Sequence, residues 1–182
     1  MTTANKITLA RICMAPVFMA FLLFDDAARY AQYISAAIFI VAAATDGLDG
    51  YIARKYNQIT TFGKFVDPLA DKLLVAAALV GLVWMRRLDP WFALIIISRE
   101  FIVTGLRLVA ISNGKVIPAS ASGKVKTVLQ IAAIVAMLID RIYEITVWGV
   151  PLSAVIMAAA VLMTVYSGYV YVKRHWSFIE LR

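Results

Sequence analysis

The 182-residue chain is 63% hydrophobic and 16% charged, with a mean hydropathy of +0.83. A soluble domain carries about 25% charged residues, so this composition excludes an ordinary water-solvated globule and points to lipid as the solvent. Lysine and arginine outnumber the acids 18 to 11, for a net charge of +7. The basic residues sit beside apolar segments, which excludes a nucleic-acid surface and favours anionic lipid head groups or a phosphorylated substrate.

A spanning helix needs about 20 largely apolar residues, and six segments approach that length: Ile7 to Phe24, Tyr30 to Arg54, Val66 to Met85, Pro90 to Ser112, Val125 to Tyr143 and Thr146 to Val172. The first follows a short polar start without a convincing cleavage site and is expected to be retained. Cys13 lies within it, cannot form an intrachain disulfide and is expected as a small buried hydrophobe. No linker, repeat or low-complexity tract divides the segments, so residues 1–182 are read as one domain. Spanning helices satisfy their own backbone hydrogen bonds. The expected fold is therefore all-α, an integral membrane bundle of six transmembrane helices.

An even number of spans puts both termini on one side. That side would hold Lys6, Arg11, Arg54, Lys55, Lys64, Lys115, Lys124, Lys126, Lys173, Arg174 and Arg182, against Arg29, Arg86, Arg87 and Arg141 in the opposite loops. The positive-inside rule then sets the termini in the cytoplasm, with Arg86 and Arg87 as a local exception. A multi-pass protein of the cell membrane is expected.

In the opening, polar Asn5, Lys6, Thr8 and Arg11 alternate with Ile7, Leu9 and Ile12. Lys6 and Arg11 either snorkel to head groups, or Asn5, Thr8 and Arg11 form the rim of a polar site. The fourth segment holds Ser98, Arg99, Glu100, Thr104 and Arg107 in apolar surroundings. Intramembrane ionisable residues face a bundle interior or a wet cavity. Arg99 and Glu100 either neutralise each other or bind other helices, whereas Arg107 has no acidic neighbour in sequence and suits a phosphate. At the fifth segment, Lys124 and Lys126 either anchor the span or point, Lys124 more surely, into the same cavity as Arg107. Gly123 beside a helix start would let a phosphate approach backbone amides. His175 is placed at the interface with Lys173, Arg174 and Trp176, and Trp84, Trp91, Trp148 and Trp176 mark span ends. Alanine-rich faces at 42–44, 76–78 and 158–160 permit close packing, and one of them could serve a homodimer.

The densest chemistry lies between Asp46 and Asp71. Asp46, Asp49, Gly50 and Ala53 share one helix face, and Asp67 and Asp71 stack on the next helix. Acids at span ends can simply be solvated, but four this close repel one another unless a strong positive charge sits among them. One or two divalent ions are the simplest candidate, with Asp46, Asp49 and Asp67 as leading ligands and Asp71 completing the set. A small cation transporter or channel would also want such a cluster. Its position at one membrane face, away from the midplane where transport sites lie, disfavours that reading. Gly50 and Gly63 leave room for a close approach, and Arg54 either joins the site or caps its helix.

From Asp46 the sequence reads D-x2-D-G-x2-A-R-x8-G-x3-D-x3-D, filled by Asp46, Asp49, Gly50, Ala53, Arg54, Gly63, Asp67 and Asp71. This resembles, without departure, the signature of the CDP-alcohol phosphatidyltransferases. The resemblance implies a polar, cytoplasm-facing active-site cavity and an enzyme that uses Mg2+ or Mn2+, as a pair of ions. It also implies that Asp46, Asp49, Gly50, Ala53, Arg54, Gly63 and Asp67 hold the cytidine diphosphate, and that Asp71 is the catalytic base, a role compatible with metal ligation. Three further stretches, Asn5 to Ile12, Ser98 to Arg107 and Gly123 to Thr127, are similar to the bacterial phosphatidylglycerophosphate synthases. That similarity implies transfer of a phosphatidyl group from CDP-diacylglycerol to sn-glycerol 3-phosphate within the membrane lipids, with Arg107, Lys124 and Lys126 as candidate partners of the acceptor phosphate and Arg99 at the rim. A phosphatidylinositol phosphate synthase or another family member is the alternative, since it too needs a phosphate pocket.

Overall fold

The computed structural model describes residues 3–23, 31–55, 61–112, 120–140, 145–147 and 149–174, with backbone alone at 3–8, 31–32, 46–55, 61–68, 71, 112 and 147. It is all-α apart from one short hairpin. The elements are α1 (Thr3–Leu23), α2 (Ala31–Lys55), α3 (Thr61–Trp84), α4 (Pro90–Ser112), α5 (Ala121–Ile139), β1 (Thr146–Val147), β2 (Val150–Pro151) and α6 (Leu152–Arg174). Of these, α5 and α6 are by themselves long and apolar enough to cross a membrane, and α1, α2 and α3 contain shorter apolar runs at Leu9–Leu23, Tyr33–Thr45 and Lys72–Trp84.

Local chemistry explains the helix ends. Asp89 caps α4: the Trp91 amide donates to its Oδ1 at 2.8 Å, and Pro90 at the first helical position has no amide to satisfy. Ser120 caps α5 in the same way, its Oγ accepting from the Gly123 amide at 3.1 Å. The end of α3 closes on Arg86, whose φ of 57° is left-handed. There the Arg87 amide donates to the Leu82 carbonyl and the Arg86 amide to that of Val83, at 2.9 and 3.0 Å. This is the double bond of a Schellman ending, with arginine where glycine is usual.

Thr146 to Pro151 is not part of the last helix. Thr146 pairs with Pro151 and Val147 with Val150 in an antiparallel hairpin, and Gly149 at φ +80° makes the reversal. The Leu152 amide then donates to the Ile145 carbonyl at 2.8 Å as α6 begins.

The chain forms two compact units, Met1–Leu88 with Met137–Tyr143, and Asp89–Ala136 with Glu144–Arg182. In the first, α1 packs on α2 and α3, and α2 packs on α3. Ala15, Phe18 and Leu22 of α1, Ser35, Phe39 and Ala42 of α2, and Ala70, Leu74 and Ala78 of α3 are buried at helical spacing. A Cβ on Gly81 would lie 2.3 Å from Leu22 Cδ2, so the missing side chain is what lets α1 and α3 meet there. Cys13 is exposed, contrary to expectation: it stands two residues from buried Arg11 and so on the other side of α1.

In the second unit α4 packs on α6. Burial here runs against the pattern of a soluble protein. On α6, Ser153, Thr164 and Ser167 are buried, whereas Leu162, Val165 and Tyr166 are exposed. On α5, Lys126 and Gln130 are buried while Val125 and Val128 face outward. Polar inside and apolar outside is the arrangement of a helix solvated by lipid. Buried hydroxyls are satisfied within their own helix, Thr164 donating to the Ala160 carbonyl at 2.6 Å and Ser167 to that of Thr164 at 3.2 Å. The two long apolar helices and this inverted burial associate the protein with a membrane.

Candidate active site

Asp46, Asp49, Gly50, Ala53 and Arg54 all lie in the C-terminal part of α2, and Gly63, Asp67 and Asp71 in the N-terminal half of α3. Each aspartate pair is therefore in continuous helix with its members one turn apart, on two helices that touch within one unit. Carboxylates in that number could hold a divalent ion. The side chains of these residues, and of Asn5 and Thr8 on α1, lie outside the described ones.

Arg11 is 1% exposed, too deep to snorkel to head groups. Two packing contacts fix its level. Phe18 meets Phe39 at 5.8 Å between ring centres, and Gly81 sits against Leu22 and Met19. Consecutive helices joined by short connections run antiparallel. About two turns back from Phe18 on α1 is Arg11, and about two turns on from Phe39 on α2 is Asp46. About three turns back from Leu22 is again Arg11, and three back from Gly81 on α3 is Ala70, beside Asp71. A buried cation thus stands at the height of both acidic pairs.

The second unit holds a separate polar cluster. Glu100 Oε1 accepts from Arg99 Nη1 at 3.3 Å and is also ion-paired with Lys126 Nζ. Arg99 Nη2 donates to Ser167 Oγ on α6 at 3.0 Å. Side-chain exposure is 14% for Arg99, 15% for Glu100 and 3% for Lys126. Two glycines border it: a Cβ on Gly168 would lie 3.0 Å from Arg99 Cγ, and one on Gly123 4.0 Å from Arg99 Nη2. Further along the same face of α4, Arg107 lies over the Tyr171 ring, 5.7 Å from its centre.

Several expected site residues are thereby located. Arg99 and Glu100 are paired, and Glu100 also ties α4 to α5 through Lys126. Lys126 is buried while Lys124, two residues earlier, is exposed on the opposite side of α5. Gly123 offers no unclaimed amide, since Ser120 takes it as a cap. Ser167, Gly168 and Tyr171 were not singled out from the sequence. Their signal was available: Thr164, Ser167 and Tyr171 recur at helical spacing and form a polar stripe in an apolar helix.

The sequence profile of the CDP-alcohol phosphatidyltransferases matches residues 1–166. The chain belongs to the CDP-alcohol phosphatidyltransferase family. Curated relatives within it align over nearly the whole length. A Bacillus subtilis protein named "CDP-diacylglycerol--glycerol-3-phosphate 3-phosphatidyltransferase" is 44% identical, over 97% of this chain and 96% of its own. A Mycobacterium tuberculosis protein named "Probable phosphatidylglycerophosphate synthase" is also 44% identical, over 94% of this chain and 80% of its own. A Rickettsia felis protein bearing the same name as the Bacillus one is 38% identical, over 93% and 92%. The matched residues include α2 and α3, the helices that carry the four aspartates.

Proposed function

We propose that the protein transfers the phosphatidyl group of CDP-diacylglycerol to the 1-hydroxyl of sn-glycerol 3-phosphate, giving phosphatidylglycerophosphate and CMP. The observation that carries this reading is the near full-length alignment, at 38–44% identity, with relatives named for that transfer. The unbroken signature on α2 and α3 supports it.

In the proposed reaction the acceptor hydroxyl oxygen bonds to the phosphorus that carries diacylglycerol, and the bond from that phosphorus to the CMP oxygen breaks. Asp71 accepts the hydroxyl proton. Asp46, Asp49, Gly50, Ala53, Arg54, Gly63 and Asp67 hold the cytidine diphosphate, the glycines permitting close approach of the nucleotide to the backbone. Asp46, Asp49, Asp67 and Asp71 would hold a pair of Mg2+ or Mn2+ ions, which supply charge neutralisation at the diphosphate when bound. Arg11, buried at the same height, adds a fixed positive charge on the α1 side. Arg107 and Lys124 bind the acceptor phosphate, with Lys126, whose ammonium is ion-paired with Glu100, as the further candidate.

The basic residues at the predicted inner ends support a six-span arrangement with both termini and the active site in the cytoplasm. Such a site keeps the lipid donor in the bilayer while its head group reacts with a water-soluble acceptor. Purified full-length protein mixed with CDP-diacylglycerol and a divalent ion tests the reading. Faster CMP release with glycerol 3-phosphate than with inositol phosphate is expected. A preference for inositol phosphate overturns the acceptor, and no CMP with either overturns the transferase.

A further inference from the structure

We propose that Arg11 is the built-in counter-charge of the aspartate cluster: its guanidinium is shared by Asp46 and Asp71, steadies the four acids in the metal-free protein and competes with divalent ions for them. The proposal rests on the phosphatidyltransferase reading above and deepens it.

The first observation is burial. Among the described residues of α1, α2 and α3, Arg11 is the one charged side chain that is fully buried. An ion taken out of water costs several kcal/mol unless a charge of opposite sign accompanies it. Arginine keeps its proton at any working pH and cannot escape that cost by becoming neutral. Nor is Arg11 without a partner in the structure.

The second is elimination within the unit that α1, α2 and α3 form. No acid lies on α1, while α2 carries Asp46 and Asp49 alone and α3 carries Asp67 and Asp71 alone. The other acids of the unit belong to its opposite end. Asp25 and Asp26 follow Leu23 in sequence, and Leu23 is already about 18 Å along the helix from Arg11. Asp140 comes just after Met137, whose carbonyl accepts from Arg87 Nη1 at 3.3 Å beyond the end of α3. The four aspartates are left to supply the opposite charge that burial demands.

The third is level. Counted from the Phe18–Phe39 contact and from Gly81 against Leu22, Arg11 stands at the height of Asp46 and Asp71. Asp49 lies one turn nearer the C-terminus of α2, and Asp67 one turn nearer the N-terminus of α3. Arg11 is thus matched to the deeper member of each pair. The forked guanidinium, with donors on two edges, suits one carboxylate from each of two helices. In the metal-free protein it relieves the mutual repulsion of the acids, and once divalent ions enter, the same fixed charge opposes them.

The test uses full-length protein in detergent, with the unfolding temperature read in EDTA and in saturating Mn2+. Arg11→Gln should lower it by several degrees in EDTA and by less than about half as much in Mn2+, because the ions replace the missing charge. By the same linkage the variant should bind Mn2+ roughly threefold or more tightly than the wild type. Arg11→Lys keeps the charge and should recover part of the loss. In EDTA, adding Asp46→Asn to Arg11→Gln removes one repelling carboxylate and should restore part of the stability. Should Arg11→Gln alone fail to fold, this double variant should still fold. Equal losses in EDTA and in Mn2+, or Mn2+ binding no tighter than in the wild type, overturn the proposal. So does a double variant no more stable in EDTA than Arg11→Gln. A wild type that never releases CMP would refute the proposed function and leave these outcomes intact. A wild type that binds no Mn2+ would refute the metal reading, and the comparison in EDTA would still decide the counter-charge.

Discussion

Replacing Gly81 by alanine probes the contact that sets α1 against the helix carrying Asp67 and Asp71. The new Cβ would lie 2.3 Å from Leu22 Cδ2 and 3.4 Å from Met19 Sδ. Carbon atoms rest at about 3.5–4.0 Å, so the Leu22 methyl must move by more than ~1 Å. Leu22 is 1% exposed and has little room to do so. Overpacking of this kind costs about 1–3 kcal/mol, against a gain of up to about 1 kcal/mol from removing glycine inside a helix. A net loss near ~1 kcal/mol follows, or about 2–4 °C in Tm for a chain of this size. Thermal unfolding of the purified protein measures it, and turnover should fall in parallel. Leu22→Ala empties the space into which the new Cβ would intrude. The double variant should therefore be less destabilised than the sum of the single ones, by at least about 0.5 kcal/mol. A Gly81→Ala protein as stable as the wild type, or strictly additive effects, would refute the packing argument.

Two further outcomes are expected. Arg86 occupies a left-handed conformation that costs a non-glycine residue roughly 1–2 kcal/mol. Arg86→Gly should raise Tm by a few degrees on thermal unfolding, net of the greater freedom glycine gives the unfolded chain; a lower Tm would mean that the arginine side chain contributes more than its backbone costs. Arg107→Ala and Lys124→Ala should each raise KM for glycerol 3-phosphate roughly tenfold while leaving CDP-diacylglycerol binding nearly unchanged. Equal weakening of both substrates in folded protein would count against the acceptor assignment.

Legibility in the sequence followed the range of the interaction that decides each feature. The fourth helix was readable to the residue, Pro90 to Ser112, because its start is set by neighbours: Asp89 supplies the cap and Pro90 the first turn. The sixth was read six residues too early by its apolar composition, which hid the turn chemistry of Gly149 and Pro151. Arg86 gave no local sign of a left-handed ending, since residues there are usually glycine or asparagine.

The site divides in the same way. Four aspartates spaced by helical turns could be placed on α2 and α3 from sequence alone, as both helices run unbroken through them. The split between Lys124 and Lys126 runs opposite to the expectation, which favoured Lys124 as the inward-pointing one: Lys126, Gln130, Ala133, Ile134 and Met137 form one buried stripe at helical spacing, and Lys124 is off it. The bridge from Glu100 to Lys126 was not readable. It joins residues on different helices, and only the packing of the folded unit brings them together. Arg11 shows both sides of this: its place among interfacial residues left open a snorkelling cation or the rim of a polar site, and the packing of α1 on α2 and α3 buries it.

The central claim, that carboxylates on α2 and α3 hold the ions that activate the nucleotide-linked lipid, is tested most directly by titrating the purified protein with Mn2+ and following the free ion by electron paramagnetic resonance. Wild type should bind about two ions per chain. Asp67→Asn should lose at least one of them together with CMP release, while unfolding at a similar temperature. Undiminished Mn2+ binding or normal turnover in Asp67→Asn would contradict the account.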